Sequence, residues 1–264
     1  DMLRAVSRLA DGTYVAGGVW DVDVKDGKRT STVFAHSSSG LDWEWQQKGG
    51  EVRALAAIGA HVVAVGYSSD SGFAVRLDSA GDEKWIVKLG AAGDEINGIA
   101  KSESGLFVAG STVNSGLALV KDHRRRGWLA LVTPDGKVVG DRVLTMGAEL
   151  AFAGATRAEN GLISVGRTRA TAGAKSDGVV VLSDAGGKEV WRAKLGSALD
   201  DELSSAAWLD GRAIAVGVTT SSSHGQQGWA VSLDEAGNVL WDRSWGDKSA
   251  DRLSSVARLN GSTV

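Results

Sequence analysis

Apolar stretches of similar pattern return along this chain about every fifty residues. The first stretch of each copy has apolar residues three apart and begins near Leu3, Val52, Ile96, Leu150, Leu203 and Leu253. In the first five copies a continuous apolar run follows and ends in a glycine, at Gly17, Gly66, Gly110, Gly166 and Gly217. Such runs are typical of strands buried on both faces, and the terminal glycine permits a turn or a bulge.

Two more strand patterns complete a copy. The third alternates apolar and polar residues, as expected for a strand with one packed face, and it lies at 72–78, 127–133, 177–184 and 228–234. Glycine turns follow, as hairpins require, at 80–81, 135–136, 186–187 and 236–237. The fourth pattern carries a tryptophan, which we assign to Trp45, Trp85, Trp191 and Trp241, with Gly140 at this place in the third copy.

Four strands in a repeat of this length predict the blade of a β-propeller. The segments AVRLDSAGDEKW (74–85) and AVSLDEAGNVLW (230–241) also resemble a bacterial β-propeller repeat family of the seven-bladed type, and are similar to the tryptophan-docking repeats of quinoprotein-like propellers. The resemblance covers nearly the whole chain. It implies an all-β propeller of four-stranded antiparallel blades, and it says little about activity.

We predict a single propeller domain with five complete repeats and the start of a sixth. The approximate bounds are 1–50, 51–93, 94–148, 149–200, 201–250 and 251–264. Because both ends of the chain offer the same inner strands, we expect the parent protein to have six or seven blades. The alternative is a ring of five blades with a redundant tail packed elsewhere.

Composition excludes several classes of function. The chain has no cysteine, so disulfides, thiolate nucleophiles and cysteine-bound metals are absent. A net charge of −3 argues against a nucleic-acid or anionic-membrane surface, and no apolar run is long enough for a membrane helix. No leader peptide is visible, but residue 1 is Asp rather than Met. We expect a periplasmic, cell-surface or extracellular location.

Two sets of repeated residues have both a structural and a functional interpretation. The first set consists of aspartates two residues before the first apolar residue of a copy, at Asp1, Asp94, Asp201 and Asp251. They could bind a cation or a sugar at one mouth of the channel, or they could cap the loop backbone. The tryptophan series could stack on sugars or quinones, or wedge between blades. We favour the structural interpretation for both sets, and we note that Trp20 and Trp43 lie off the tryptophan register.

Function should reside where the copies differ, chiefly in the inserts at 19–31, 111–127 and 218–228. The first resembles a calcium loop, but its acidic spacing departs from that motif. The second contains a basic run that could meet a phosphate, a carboxylate or an acidic partner, or simply be a solvated loop. The candidate partner-binding residues are Trp20, Asp21, Asp23, Asp26, His123, Arg124, Arg125, Arg126 and His224.

The sequence contains few residues in patterns typical of a catalytic site. The histidines show no metal-binding spacing, and neither a G-x-S-x-G elbow nor a phosphate loop occurs. His224 follows Ser221–Ser223, yet nothing identifies an orienting acid for a Ser–His pair. We therefore predict a non-enzymatic scaffold without metal or cofactor that binds a protein partner in a bacterial envelope or extracellular assembly. A carbohydrate-binding, lectin-like propeller and a quinoprotein-like dehydrogenase are the alternatives.

Overall fold

The computed structural model describes residues 2–23, 28–37, 40–113, 124–259 and 262–263, and within them every regular element is a strand. None of these residues forms a helix that could cross a membrane. The strands are β1 (Met2–Arg8), β2 (Tyr14–Asp23), β3 (Lys28–Ser37), β4 (Gly40–Lys48), β5 (Glu51–Ile58), β6 (His61–Tyr67), β7 (Gly72–Leu77), β8 (Glu83–Leu89), β9 (Glu95–Lys101), β10 (Leu106–Thr112), β11 (Arg126–Val132), β12 (Val138–Leu144), β13 (Glu149–Ala158), β14 (Gly161–Arg169), β15 (Ser176–Asp184), β16 (Glu189–Leu195), β17 (Glu202–Leu209), β18 (Arg212–Ser221), β19 (Gly225–Leu233), β20 (Val239–Trp245), β21 (Arg258–Leu259) and β22 (Ser262–Thr263).

The first twenty strands form five separate sheets of four consecutive antiparallel strands each. This confirms the predicted all-β class and the four-stranded unit, which we call a blade. The first strands of successive blades (β1, β5, β9, β13 and β17) are neighbours and line a central channel of about 1250 Å³. Residues 253–257 run beside β17 in the same manner, with the Leu253 amide donating to the Gly217 carbonyl.

The core lies between blades, because each sheet has two faces to cover. The second strand of a blade is buried along most of its length, as the continuous apolar runs predict; β10 is buried throughout. A glycine opens the packed part of several third strands and admits the first apolar side chain of the next blade. A Cβ added to Gly72 would lie 2.9 Å from Cγ1 of Ile96, so only glycine permits this approach.

Tryptophans of the outermost strands fasten neighbouring blades together. The indole Nε1 of Trp43, Trp85 and Trp191 donates to a backbone carbonyl in the β-turn of the next blade, at Ser79 (2.8 Å), Pro134 (3.0 Å) and Glu235 (2.8 Å). Each ring also covers the glycine of that turn, at Gly81, Gly136 and Gly237. These glycines have φ near +83°, a conformation that a residue with a Cβ rarely adopts, and the ring leaves no space for one.

The first blade differs from the predicted tryptophan register. Trp43, not Trp45, occupies the docking position. The strand pairing shows the equivalence: Trp43 pairs with Ala35, the next pair is Leu41 with His36, and the skipped residue, Asp42, corresponds to Lys84 before Trp85. The register differs because the connection from Ala35 to Trp43 is one residue shorter than that from Arg76 to Trp85. Trp45 instead packs its ring against Phe73 and donates its Nε1 to Glu83 at 3.2 Å.

The third blade has no tryptophan to dock. Gly140 pairs with Leu131 at the position that Trp191 holds opposite Leu182 in the fourth blade. A Cβ at Gly140 would meet nothing within 4 Å, whereas the turn glycine of the next blade, Gly187, faces Cγ of Arg142. The interface between the third and fourth blades therefore lacks the indole that three other interfaces have.

We expect Gly140→Trp to supply the missing contact, with the new indole covering Gly187 and donating to the Ala185 carbonyl. An additional aromatic burial and hydrogen bond should raise the free energy of unfolding by about 1 kcal/mol. Urea denaturation measures the change. Gly140→Ala is the control for replacing glycine within a strand, and a Trp variant no more stable than the Ala variant would contradict the account.

Candidate functional site

Charged residues gather at one end of the central channel. Each of the second to fifth blades begins its first strand with a glutamate, at Glu51, Glu95, Glu149 and Glu202. These residues pair with residues near the ends of the second strands, at Tyr67, Ser111, Arg169 and Val218, so they lie near the loops that join second to third strands. We call this end of the channel, with the arginines bound to the four glutamates, the charged mouth.

Glu51 is the most deeply placed of these carboxylates, with its side chain fully buried. It accepts from Arg4 of the preceding blade, from Arg29 at 3.2 Å and from the Tyr67 hydroxyl at 3.2 Å, and Arg53 lies 3.5 Å away. A buried carboxylate is stable only when it is paired and hydrogen-bonded. The arginines around Glu51 are therefore held in fixed positions.

The same arrangement continues around the mouth. Glu149 contacts Arg169 at 2.8 Å and Arg167 at 3.3 Å, and Arg167 also reaches Glu202 of the next blade at 3.5 Å. Glu95 accepts from Arg125 at 3.1 Å, and this arginine also donates to Ser111 at 2.8 Å. Salt bridges thus connect the first and second strands of the fourth blade, and they connect the fourth blade to the fifth.

A pocket of about 460 Å³ opens beside these bridges, between the third and fourth blades. We call it the arginine pocket; four arginines and one glutamate supply its charged lining, and its residues are Arg124, Arg125, Ala148, Glu149, Arg167, Arg169, Thr171, Ala172 and Gly173. The guanidinium group presents planar paired donors that match a carboxylate or a phosphate. The pocket is suited to an anionic group.

The predicted basic run divides at this pocket. Arg124 and Arg125 line it, whereas Arg126 begins β11 and its guanidinium lies 3.5 Å from the backbone carbonyl of Arg124. His123 lies outside the described residues, as does Asp26 of the calcium-like segment. Trp20, Asp21 and Asp23 belong to β2, but their side chains lie outside the described part. Over the side chains described, no three His, Asp or Glu residues cluster as a metal site would require.

His224 lies in the exposed turn between β18 and β19. Its Nδ1 is 2.7 Å from the Ser223 hydroxyl, and its backbone amide donates to the Ser221 hydroxyl at 3.0 Å. No carboxylate of the described residues is hydrogen-bonded to the imidazole. The pair therefore lacks the third, orienting group of a catalytic triad.

Three of the four repeated aspartates accept hydrogen bonds from neighbouring loops and strand ends, and Asp1 lies outside the described residues. Asp94 is buried and accepts from the amides of Ala91 (2.8 Å) and Val113 (2.9 Å). Asp201 is buried and accepts from the amides of Ser197 and Thr220 and from the Thr219 hydroxyl. Asp251 accepts from the Asp247 amide at 3.1 Å. These contacts agree with the capping interpretation. The carboxylates at the charged mouth are instead the glutamates that directly follow Asp94 and Asp201 in the sequence.

One carboxylate beside these loops has a strongly lowered pKa. The Lys175 ammonium, 2.6 Å from Asp200, together with the Ser176 amide, lowers the pKa of Asp200 to about 2. Asp200 therefore stays ionised in mildly acidic solution and holds the β14–β15 loop against the loop that precedes the fifth blade. Both charges are largely exposed, so the pair contributes mainly to loop position.

The glutamates and most arginines of the charged mouth were absent from the sequence-based candidates. An acidic residue directly before the first apolar residue of four repeats was the available signal, at Glu51, Glu95, Glu149 and Glu202. The arginines gave no such signal, because they come from first, second and third strands and, at Arg125, from a loop, in different blades. Trp43, on which part of the sugar-binding alternative rested, has its ring on Gly81 and its Nε1 bonded to Ser79.

Comparison with solved structures settles the fold. The WD40 β-propeller domain of Doa1 aligns with a TM-score of 0.62 and 12% identity, over 99% of this chain and 74% of that one. The chain is a β-propeller. TolB from Acinetobacter baumannii aligns with a TM-score of 0.56 and 11% identity, and a Synechocystis apocarotenoid oxygenase with 0.53 and 9%. The alignment with TolB covers 97% of this chain and 57% of TolB. The alignment with the oxygenase covers 95% of this chain and 63% of the oxygenase.

At these identities the likeness shows the propeller fold alone, and the neighbours include both an enzyme and proteins not described as enzymes. No protein-family model matches this chain. No curated protein matches it at significant similarity.

We expect Asp201→Ala to destabilise the propeller. The substitution removes a buried carboxylate that accepts from two partly buried amides and a hydroxyl, which should lower the free energy of unfolding by about 1–3 kcal/mol. Chemical denaturation measures the loss. Asp42→Ala removes an exposed carboxylate and serves as the control, with an expected change below about 0.5 kcal/mol. Equal effects of the two substitutions would contradict the capping role.

Proposed function

We propose that this propeller is a non-enzymatic binding module whose arginine pocket engages an acidic segment of a protein partner. The observation that carries the proposal is the concentration of arginines in the pocket lining, where Arg124, Arg125, Arg167 and Arg169 lie beside Glu149. Glu95 and Glu202 contact Arg125 and Arg167 from outside the lining. Because a guanidinium group has several N–H donors, it can keep these contacts and also form paired hydrogen bonds with a carboxylate of a partner.

The arrangement of the arginines supports recognition rather than nonspecific attraction. Arg125, Arg167 and Arg169 are each bound to a glutamate of the mouth, so their guanidinium groups are positioned before a partner arrives. Positioned groups lose less conformational entropy on binding. The pocket lies at the interface between the third and fourth blades, where Gly140 replaces the docking tryptophan, so the salt bridges rather than indole docking hold these arginines in place.

The location of the pocket also suits a partner-binding face. Arg124 and Arg125 belong to the insert at 111–127, one of the segments in which the repeats differ most. Loops of this kind can change without disturbing the stacked strands, and binding residues concentrate on loops that a rigid scaffold positions. The remaining inserts, at 19–31 and 218–228, join second to third strands at the same end of the propeller.

A short labelled glutamate peptide tests the proposal, with a glutamine peptide of equal length as the probe control. Fluorescence anisotropy should show binding of the glutamate peptide that weakens as salt increases, because the attraction is ionic. The double substitution Arg124→Gln and Arg169→Gln should weaken this binding at least about tenfold, through loss of two charged donors.

Arg157→Gln is the matched protein control. It removes an arginine that is also partly exposed and salt-bridged, to Glu103, but that lies at the other end of the channel. Binding should be unchanged in this variant. Equal weakening in Arg157→Gln and in the double variant, or equal binding of the glutamate and glutamine peptides, would overturn the proposal.

A further inference from the structure

Trp208 departs from the repeat at the end of its strand that lies away from the charged mouth. The equivalent place in each blade is the first-strand residue paired with the second-strand residue four positions before the glycine that ends the apolar run. The second, third and fourth blades have Ala57, Lys101 and Arg157 there, whereas the fifth has Trp208 opposite Ala213. An aromatic side chain at this place is therefore not a requirement of the blade itself.

Trp208 is held by packing and also lines a pocket. Its indole packs against the apolar core between the fourth and fifth blades, which includes Ala158, Ala206 and Ala213. The side chain stays partly exposed and lines a pocket of about 570 Å³. No acceptor among the described residues binds its Nε1, and this nitrogen is not sealed from solvent. The indole is thus a positioned platform whose N–H is available to a ligand.

Charged side chains of both signs line the same cavity, which we call the Trp208 pocket. Besides Trp208, its polar and charged lining consists of Thr156, Arg157, Glu159, Asp210 and Arg258. Glu159 and Asp210 begin the two-residue turns between first and second strands of the fourth and fifth blades. Neither carboxylate, nor Arg258, has an ion pair or hydrogen bond with another described residue. Arg157 is paired with Glu103, which lies 3.6 Å away and outside the lining. The pocket therefore offers acceptors as well as donors, without an excess of positive charge.

These groups together suit a sugar better than an ion. An anion would lie near Glu159 and Asp210, and a cation near Arg157 and Arg258. A hydroxyl group both donates and accepts hydrogen bonds, so it can use the guanidinium groups and the carboxylates together. The apolar face of a sugar ring can pack on an aromatic face such as that of Trp208. The volume also lies within the range of about 300–1,000 Å³ that is usual for small-molecule sites.

We propose that the Trp208 pocket binds an uncharged carbohydrate, with a sugar ring stacked on the indole and its hydroxyls bonded to Glu159, Asp210 and Arg258. The pocket lies at the opposite end of the channel from the arginine pocket, since Glu149 begins β13 and residue 158 ends it. The two pockets share no lining residue. This site is therefore independent of the function proposed for the arginine pocket.

Isothermal titration calorimetry with four uncharged trisaccharides tests the proposal: maltotriose, cellotriose, mannotriose and triacetylchitotriose. At least one should bind, and its affinity should change less than about twofold between about 50 and about 500 mM salt, because an uncharged ligand has no charge to screen. Trp208→Ala should weaken this binding at least about tenfold, through loss of the stacking surface. Asp210→Asn should weaken it at least about threefold, through loss of a charged acceptor.

The second substitution keeps the test decisive if Trp208→Ala disturbs the core. Asp210 has a φ of 49°, a left-handed conformation that asparagine tolerates, so the turn should be preserved. Trp245→Ala is the matched control, because it removes a tryptophan that is 52% exposed and outside the pocket, and it should leave the affinity unchanged.

Three results would overturn the proposal. The first is that none of the four trisaccharides binds. The second is that Trp245→Ala weakens binding as much as Trp208→Ala, or that neither Trp208→Ala nor Asp210→Asn weakens it. The third is that trigalacturonate, a charged trisaccharide, binds as tightly as the best uncharged one, with an affinity that falls as salt increases.

Discussion

The contact between an indole and a glycine turn of the next blade is the interaction on which the stacking of this propeller depends. Fourth strands lie farthest from the channel, and only one of their edges is paired. Trp43, Trp85 and Trp191 hold these strands by covering a glycine in the next blade and donating to its turn. The ring leaves no space for a Cβ, so each of the three docked tryptophans requires a glycine beneath it in the next blade.

Because neighbouring blades keep a constant position relative to each other, charged residues from two blades can pair at the channel mouth. Glu51 is wholly buried, and it is stable there because Arg4, Arg29, Arg53 and Tyr67 from two blades converge on it. A shift between blades would separate such partners. The stacking of the outer strands and the placement of the inner arginines are therefore linked at the interface between the first and second blades.

The sequence predicted the strands well because each strand type has its own local pattern and the pattern repeats. The prediction failed in the first blade, where the connection between third and fourth strands is one residue shorter: Trp43 follows its partner Ala35 by eight residues, whereas Trp85 follows Arg76 by nine. The charged mouth could not be predicted as a unit. Its pairs join residues as far apart as Arg4 and Glu51, and pairings between blades leave no periodic signal in a single sequence. Arg125 was among the candidates, but neither Arg167 nor Arg169 was.

Hydrogen exchange of the indole N–H groups tests the central claim most directly. With the resonances assigned by single Trp→Phe variants, the indoles of Trp43, Trp85 and Trp191 should exchange slowly, because each donates to a backbone carbonyl under a packed ring. Trp241 is 36% exposed, and its Nε1 has no acceptor among the described residues, so its indole should exchange much faster than the three docked ones. Exchange of the three docked indoles as fast as that of Trp241 would contradict the account.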